Sequence, residues 1–81
     1  MNFKHLVQFL IESERGPNGV LYTIPEDYEL KFKSDELQGT ITYVDYCNGR
    51  VYVLNNEYDV LYHCDSDEEM DVQLYQLIPI D

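Results

Sequence analysis

Residues 40–54 read TITYVDYCNGRVYVL, and the fold turns on this stretch. Asn48-Gly49 separates two strand-like runs rich in β-branched and aromatic residues. Asn-Gly between such runs is a strong hairpin signal, because a type I′ turn needs positive φ at both central residues. The turn sets a register in which Cys47 faces Arg50, Tyr46 faces Val51 and Val44 faces Val53. A second tight turn at Asn55-Asn56 continues the meander and places Val53 opposite Tyr58 and Val51 opposite Val60. One face then holds Val44, Tyr46, Val51, Val53, Tyr58, Val60 and Tyr62, and it is expected to pack on an N-terminal helix. The other holds Ile41, Tyr43, Asp45, Tyr52, Leu54, Asp59, Leu61 and His63, a mixed set that suits either solvent or partial cover. A one-residue slip would exchange the two faces.

On the N-terminal side, Phe3, Leu6, Val7, Leu10 and Ile11 recur at helical spacing and predict a helix over residues 2–14. Asn2 is its expected N-cap, and Gly16 with Pro17 supplies the stop. Pro17-Asn18-Gly19 reads as a turn, followed by a short strand over residues 20–24. Tyr28, Leu30 and Phe32 alternate with charged residues as in a half-buried strand, and residues 34–39 form a connection. The tail fits two patterns. Val72, Leu74, Ile78 and Ile80 suit a strand, with Pro79 at home on an edge. Met70, Leu74, Leu77 and Ile78 suit a helix, with Ser66 and Glu69 as its capping box. The strand is the preferred reading. The expected fold is α+β: one N-terminal helix packed on an antiparallel five- or six-stranded sheet, able to curl into a partial barrel.

The chain of 81 residues fits one domain, residues 1–81, with a small core. A hydrophobic fraction of 44% with 14% aromatics argues against a wholly disordered chain. Five basic against 16 acidic residues give a net charge of -11. Self-repulsion on this scale opposes folding. It also argues against direct contact with nucleic acid or an anionic membrane, which both require a basic face. The excess is uneven: residues 1–50 carry 8 acids and 5 bases, whereas residues 51–81 carry 8 acids and no base. No stretch is long and apolar enough for a membrane span, and His5, Gln8 and Glu12 spoil a signal peptide. Two cysteines are too few for a secreted disulfide scaffold, so the expected location is cytoplasmic.

The sharpest local feature is the run Asp65-Ser66-Asp67-Glu68-Glu69-Met70-Asp71. Extended, it would carry Asp65, Asp67, Glu69 and Asp71 on one side at about 6.6 Å per pair, a row able to imitate phosphates. It can equally be a solvated loop or the acidic first turn of a helix. An EF-hand reading fails, because Met70 and Gln76 occupy the positions that need Gly and Glu. The eight tyrosines mostly suit sheet packing, but Tyr43 and Tyr52 share the mixed face with Asp45 and Asp59. Tyrosine interleaved with aspartate makes a reasonable binding face. Cys47 and Cys64 fall at the same end of the meander, about 10 Å apart, too far for a disulfide without a bend. His63 and Cys64 are neighbours pointing to opposite faces, a poor start for a metal site.

No nucleophile elbow and no glycine-rich phosphate loop occurs, so neither an enzyme nor a bound cofactor or metal is expected. The functional expectation is an acidic, protein-binding inhibitor that occupies the basic nucleic-acid-binding surface of a target such as a nuclease. The setting would be phage anti-restriction, anti-CRISPR or nuclease immunity. Asp65, Asp67, Glu68, Glu69 and Asp71 are the expected anionic contacts, with Asp45, Tyr52 and Asp59 as a second group. The rival is an adaptor or regulatory subunit that binds its partner through an apolar, tyrosine-rich sheet face.

Overall fold

A computed structural model describes residues 3–17, 19–33, 39–66, 68–70 and 74–80. The Asn-Gly hairpin forms as its sequence dictates. β4 (Tyr43–Cys47) pairs antiparallel with β5 (Arg50–Leu54), and Cys47↔Arg50, Tyr46↔Val51 and Val44↔Val53 are all in register. Asn48 and Gly49 have φ of 50° and 82°, the left-handed pair that a type I′ turn requires.

The N-terminal helix is much shorter than residues 2–14. It comprises one α-helical turn, Phe3–Leu6 (α1), and a 3-10 turn, Val7–Phe9, after which Leu10 is already extended. Residues 12–16, Glu-Ser-Glu-Arg-Gly, offer no apolar side chain, so further helical turns would bury nothing. As a strand the same residues gain a backbone ladder. β1 (Ile11–Gly16) and β2 (Gly19–Thr23) form a hairpin with Gly16 opposite Gly19. The turn at Pro17 therefore joins two strands and does not end a helix; Asn2 and Asn18 lie outside the described residues. Gly19 is required there, because a Cβ would collide with the Tyr46 carbonyl and with Cys47.

β2 also pairs with β4, and β5 pairs with β6 (Val60–Cys64). The result is an open five-stranded sheet in the order β1-β2-β4-β5-β6, with no barrel closure. β3 (Tyr28–Phe32) pairs with β7 (Leu74–Pro79) in a separate two-stranded sheet. The tail thus contains the strand, and a helical turn at residues 68–70 precedes it. The connection at residues 34–38 lies outside the described residues.

The second turn corrects the sequence-based register. Val53 faces Tyr62 and Val51 faces Cys64, four residues beyond the expected partners. The loop over residues 55–59 consumes the difference. Asn55 Oδ1 accepts from the Glu57 and Asp59 N–H groups at 2.8 and 2.9 Å. The Tyr58 N–H donates to the Asn55 carbonyl at 3.1 Å. Because the slip is even, Tyr62 stays on the predicted face. Tyr58 leaves the strand, and Val60 pairs with Leu54 beyond a bulge, so neither enters the core.

That core lies on the face of Val44, Val51, Val53 and Cys64, where α1 contributes Phe3 and Leu6 and β3 contributes Leu30. Phe3 packs on Tyr46 with ring centroids 5.2 Å apart, and Phe32 meets Tyr62 edge-on at 6.0 Å. Full burial of each Val, Leu, Phe or Met side chain contributes roughly 1.5–3 kcal/mol. Side chains of α1 and β3, with Met70, therefore pack on one face of the large sheet.

Candidate functional site

The described residues of the acidic run, 65, 66 and 68–70, do not form an extended row. The chain bends at Asp65 and Ser66 and enters a helical turn at residues 68–70. Ser66 Oγ accepts from the Glu69 N–H at 3.2 Å, and the Ser66 carbonyl accepts from the Met70 N–H at 3.3 Å. The turn directs Met70 into the core, where it is fully buried. Burial of Met70 and capping by Ser66 outweigh the alternation that an extended row would need. Asp65, Glu68 and Glu69 remain exposed. Asp67 and Asp71 lie outside the described residues. Asp65 also has a cation nearby, with its Oδ1 3.8 Å from Arg50 Nε. Such a pair, exposed on both sides, contributes little.

The mixed face of the five-stranded sheet has more definite geometry. Cross-strand pairing aligns Glu14, Leu21, Asp45, Tyr52 and His63 in one row across all five strands. The adjacent row on that face is Ile11, Thr23, Tyr43, Leu54 and Val60. One row is thus polar and bears carboxylates, and the other is largely apolar. Tyr52 stacks on His63 with centroids 5.7 Å apart, and Tyr43 stacks on Tyr58 at 4.6 Å with planes 8° apart. Ile11, Tyr58 and Val60 are 54%, 58% and 52% exposed, although all three are large and apolar or aromatic.

Tyr58 reaches this face from the loop over residues 55–59, with its backbone at φ 66°. That region disfavours a bulky side chain, and the Asn55 hydrogen bonds hold the residue there. A hydrogen bond with Tyr43 raises the Tyr58 hydroxyl above the ordinary tyrosine value, and the negative field of Glu14 adds to the shift. Glu14 of the edge strand and Tyr58 of the loop line the same groove. It has a volume of about 430 Å³, and Leu21, Asp45, Cys47 and Leu54 are among its other lining residues.

The structure brings Asp45 and Tyr52 together as expected. Asp59 is instead part of the loop, where its carboxylate accepts from Asn55 Nδ2 at 3.4 Å. Leu61, assigned by alternation to the mixed face, packs against the core beside the β6 bulge. Ile41 precedes β4 and is buried in the core. Glu14 was hidden by the helical reading of residues 2–14, although Pro-Asn-Gly after it is also a hairpin signal. Tyr58 gave no signal, because a longer loop and a tight turn at Asn55-Asn56 begin with the same residues. Cys47 lines the groove and Cys64 faces the core; both are reduced thiols.

Among the described residues no charged side chain is buried, and no group of three or more His, Cys, Asp or Glu is placed to hold a metal ion. No described helix is long and apolar enough to cross a membrane. No protein-family model, curated protein or solved structure matches the chain.

Proposed function

We propose that the protein is a small acidic inhibitor that occupies the basic nucleic-acid-binding surface of a target protein, such as a nuclease. Phage anti-restriction, anti-CRISPR activity and nuclease immunity are the settings that suit it. The observation that supports this reading is the face of the five-stranded sheet opposite the core. It presents the carboxylates of Glu14 and Asp45 among Tyr43, Tyr52 and Tyr58 on a chain of net charge -11. A surface of this kind draws in a basic partner by its field and then offers aromatic contact area. Asp65, Glu68 and Glu69 extend the field, together with Asp67 and Asp71 of the same run. The primary contacts are thus Glu14, Asp45, Tyr52 and Tyr58, and the acidic run is secondary.

The adaptor reading has one observation in its favour, the exposed aliphatic residues Ile11 and Val60 in the row with Tyr43. Salt separates the two. At roughly 1 M salt the screening length falls to about 3 Å, which weakens an electrostatic complex and spares an apolar one. The test is affinity capture from host lysate, with low- and high-salt washes and with added DNA as competitor. The inhibitor reading requires a DNA- or RNA-binding protein that DNA displaces and salt releases. A salt-resistant partner with no nucleic-acid role would replace it with the adaptor reading.

A further inference from the structure

We infer that the groove on the open sheet face receives an arginine side chain from an apolar-flanked segment of the partner. The inference rests on the reading that the partner is basic, and it deepens that reading by naming what the groove recognises. The floor is apolar: Leu21 and Leu54 lie on it and suit the methylene stem of a long side chain. The charged groups lining it are Glu14 and Asp45, both carboxylates. They flank Leu21 on neighbouring strands, which places their backbones about 10 Å apart across two strand spacings. A guanidinium seated above Leu21 can therefore reach either one.

Tyr58 forms the aromatic wall. Its exposed ring is stacked on Tyr43 and offers a flat π surface to a cation. Arginine suits this site better than lysine, because its planar head stacks on an aromatic ring while its forked donors address a carboxylate. A second copy of this chain is a poor occupant, since it would bring another net charge of -11 against the same carboxylates. A neutral apolar segment would leave Glu14 and Asp45 with nothing to attract.

The test is an amide NMR titration of the full chain with three synthetic peptides: acetyl-Leu-Arg-Leu-amide, the lysine analogue, and the citrulline analogue, which keeps the shape of arginine and removes its charge. The expected result is saturable shifts at Leu21, Asp45, Leu54 and Tyr58, with the citrulline peptide weaker by roughly fivefold or more. Asp45→Asn should weaken the arginine peptide by a similar factor. Tyr58→Gly should weaken it as well while preserving the dispersed spectrum, because glycine accepts the left-handed backbone that tyrosine occupies under constraint. Equal binding of the arginine and citrulline peptides, shifts confined to residues outside the groove, or no saturable shift would each overturn the inference. A lysine peptide that binds as well as arginine would overturn the choice of side chain. The peptide result is independent of what the partner does: an arginine-selective groove would stand even if affinity capture returned a protein with no nucleic-acid role.

Discussion

The two faces of the five-stranded sheet are made by alternate residues of the same strands, yet they solve different problems. On one face Val44, Val51 and Val53 are fully buried in a cluster with Phe3 and Leu6 of α1, Leu30 of β3 and Met70. On the other, Asp45, Tyr52 and His63 stand in a row outside the core cluster of the described residues, with Glu14 at one edge and Tyr58 stacked on Tyr43 of the adjacent row. The covered face is apolar at its centre and is held there by packing. The opposite face mixes carboxylates, tyrosines and exposed aliphatic groups, and it keeps one tyrosine at positive φ. Burial explains the first arrangement completely. The second places large apolar groups in water and like charges near one another, which folding alone does not favour.

The largest effect should come from placing one charge on each face in turn. Val53→Asp would strand a carboxylate in the core and cost about 4 kcal/mol or more, enough to unfold most of a domain this small. Tyr52→Asp, one position away on the other face, should cost only about 1 kcal/mol. Urea unfolding of both variants checks the contrast, and similar losses would break it. The acidic run permits the same comparison within one turn. Met70→Ala should cost about 2–5 kcal/mol in urea, because Met70 closes the core. Glu68→Gln with Glu69→Gln should leave the urea midpoint nearly unchanged and reduce attraction to a basic partner.

Asn55→Ala comes next. It removes the acceptor for the Glu57 and Asp59 N–H groups, with an expected loss of about 1–2 kcal/mol. Release of Tyr58 from Tyr43 should accompany it, seen as loss of the ring-current shifts of the stacked pair. The smallest effect concerns Glu12 and Arg15 on the exposed edge strand. Arg15 donates to both Glu12 carboxylate oxygens at 2.8 and 3.1 Å. That hydrogen bonding, with the charge of Arg15, holds the Glu12 carboxyl below its ordinary value. Any stabilisation from the pair is therefore present above the ordinary glutamate range and is lost as pH falls through the lowered value. Carboxyl-carbon NMR should place the Glu12 midpoint below that of an unpaired glutamate, and Arg15→Ala should return it.

The sequence was most legible where local chemistry left a single solution. Asn48-Gly49 determined the central hairpin and its register, and strand parity placed Val44, Val51 and Val53 in the core, although Leu54 of the opposite parity is buried as well. The strand at Tyr28, Leu30 and Phe32 followed from the same period. Legibility failed where two structures share one pattern. Phe3, Leu6 and Leu10 are buried as a helical stripe predicts, but nothing apolar after Ile11 extends the stripe, and pairing with β2 prevails. Asn55-Asn56 can open a two-residue turn or a five-residue loop, and the hydrogen bonds of the Asn55 side chain select the longer one. The acidic run was open to three readings, an extended row, a solvated loop or the acidic first turn of a helix; Met70 within it is a core residue, and Ser66 caps the helical turn at residues 68–70. For the site, Asp45 and Tyr52 were readable from strand parity. Glu14 and Tyr58 arrive from other elements, and only the three-dimensional pairing brings them in.

The central claim is that the sheet face opposite the core is the binding surface. Hydroxyl-radical footprinting of the protein alone and in complex with its captured partner tests it most directly, because tyrosines report from both faces. The account predicts strong protection of Tyr58, Tyr43 and Tyr52 in the complex, with Tyr46 and Tyr62 on the covered face unchanged. Protection confined to residues 65–70 or to the β3–β7 ribbon, with Tyr58 as reactive as in the free protein, would contradict it.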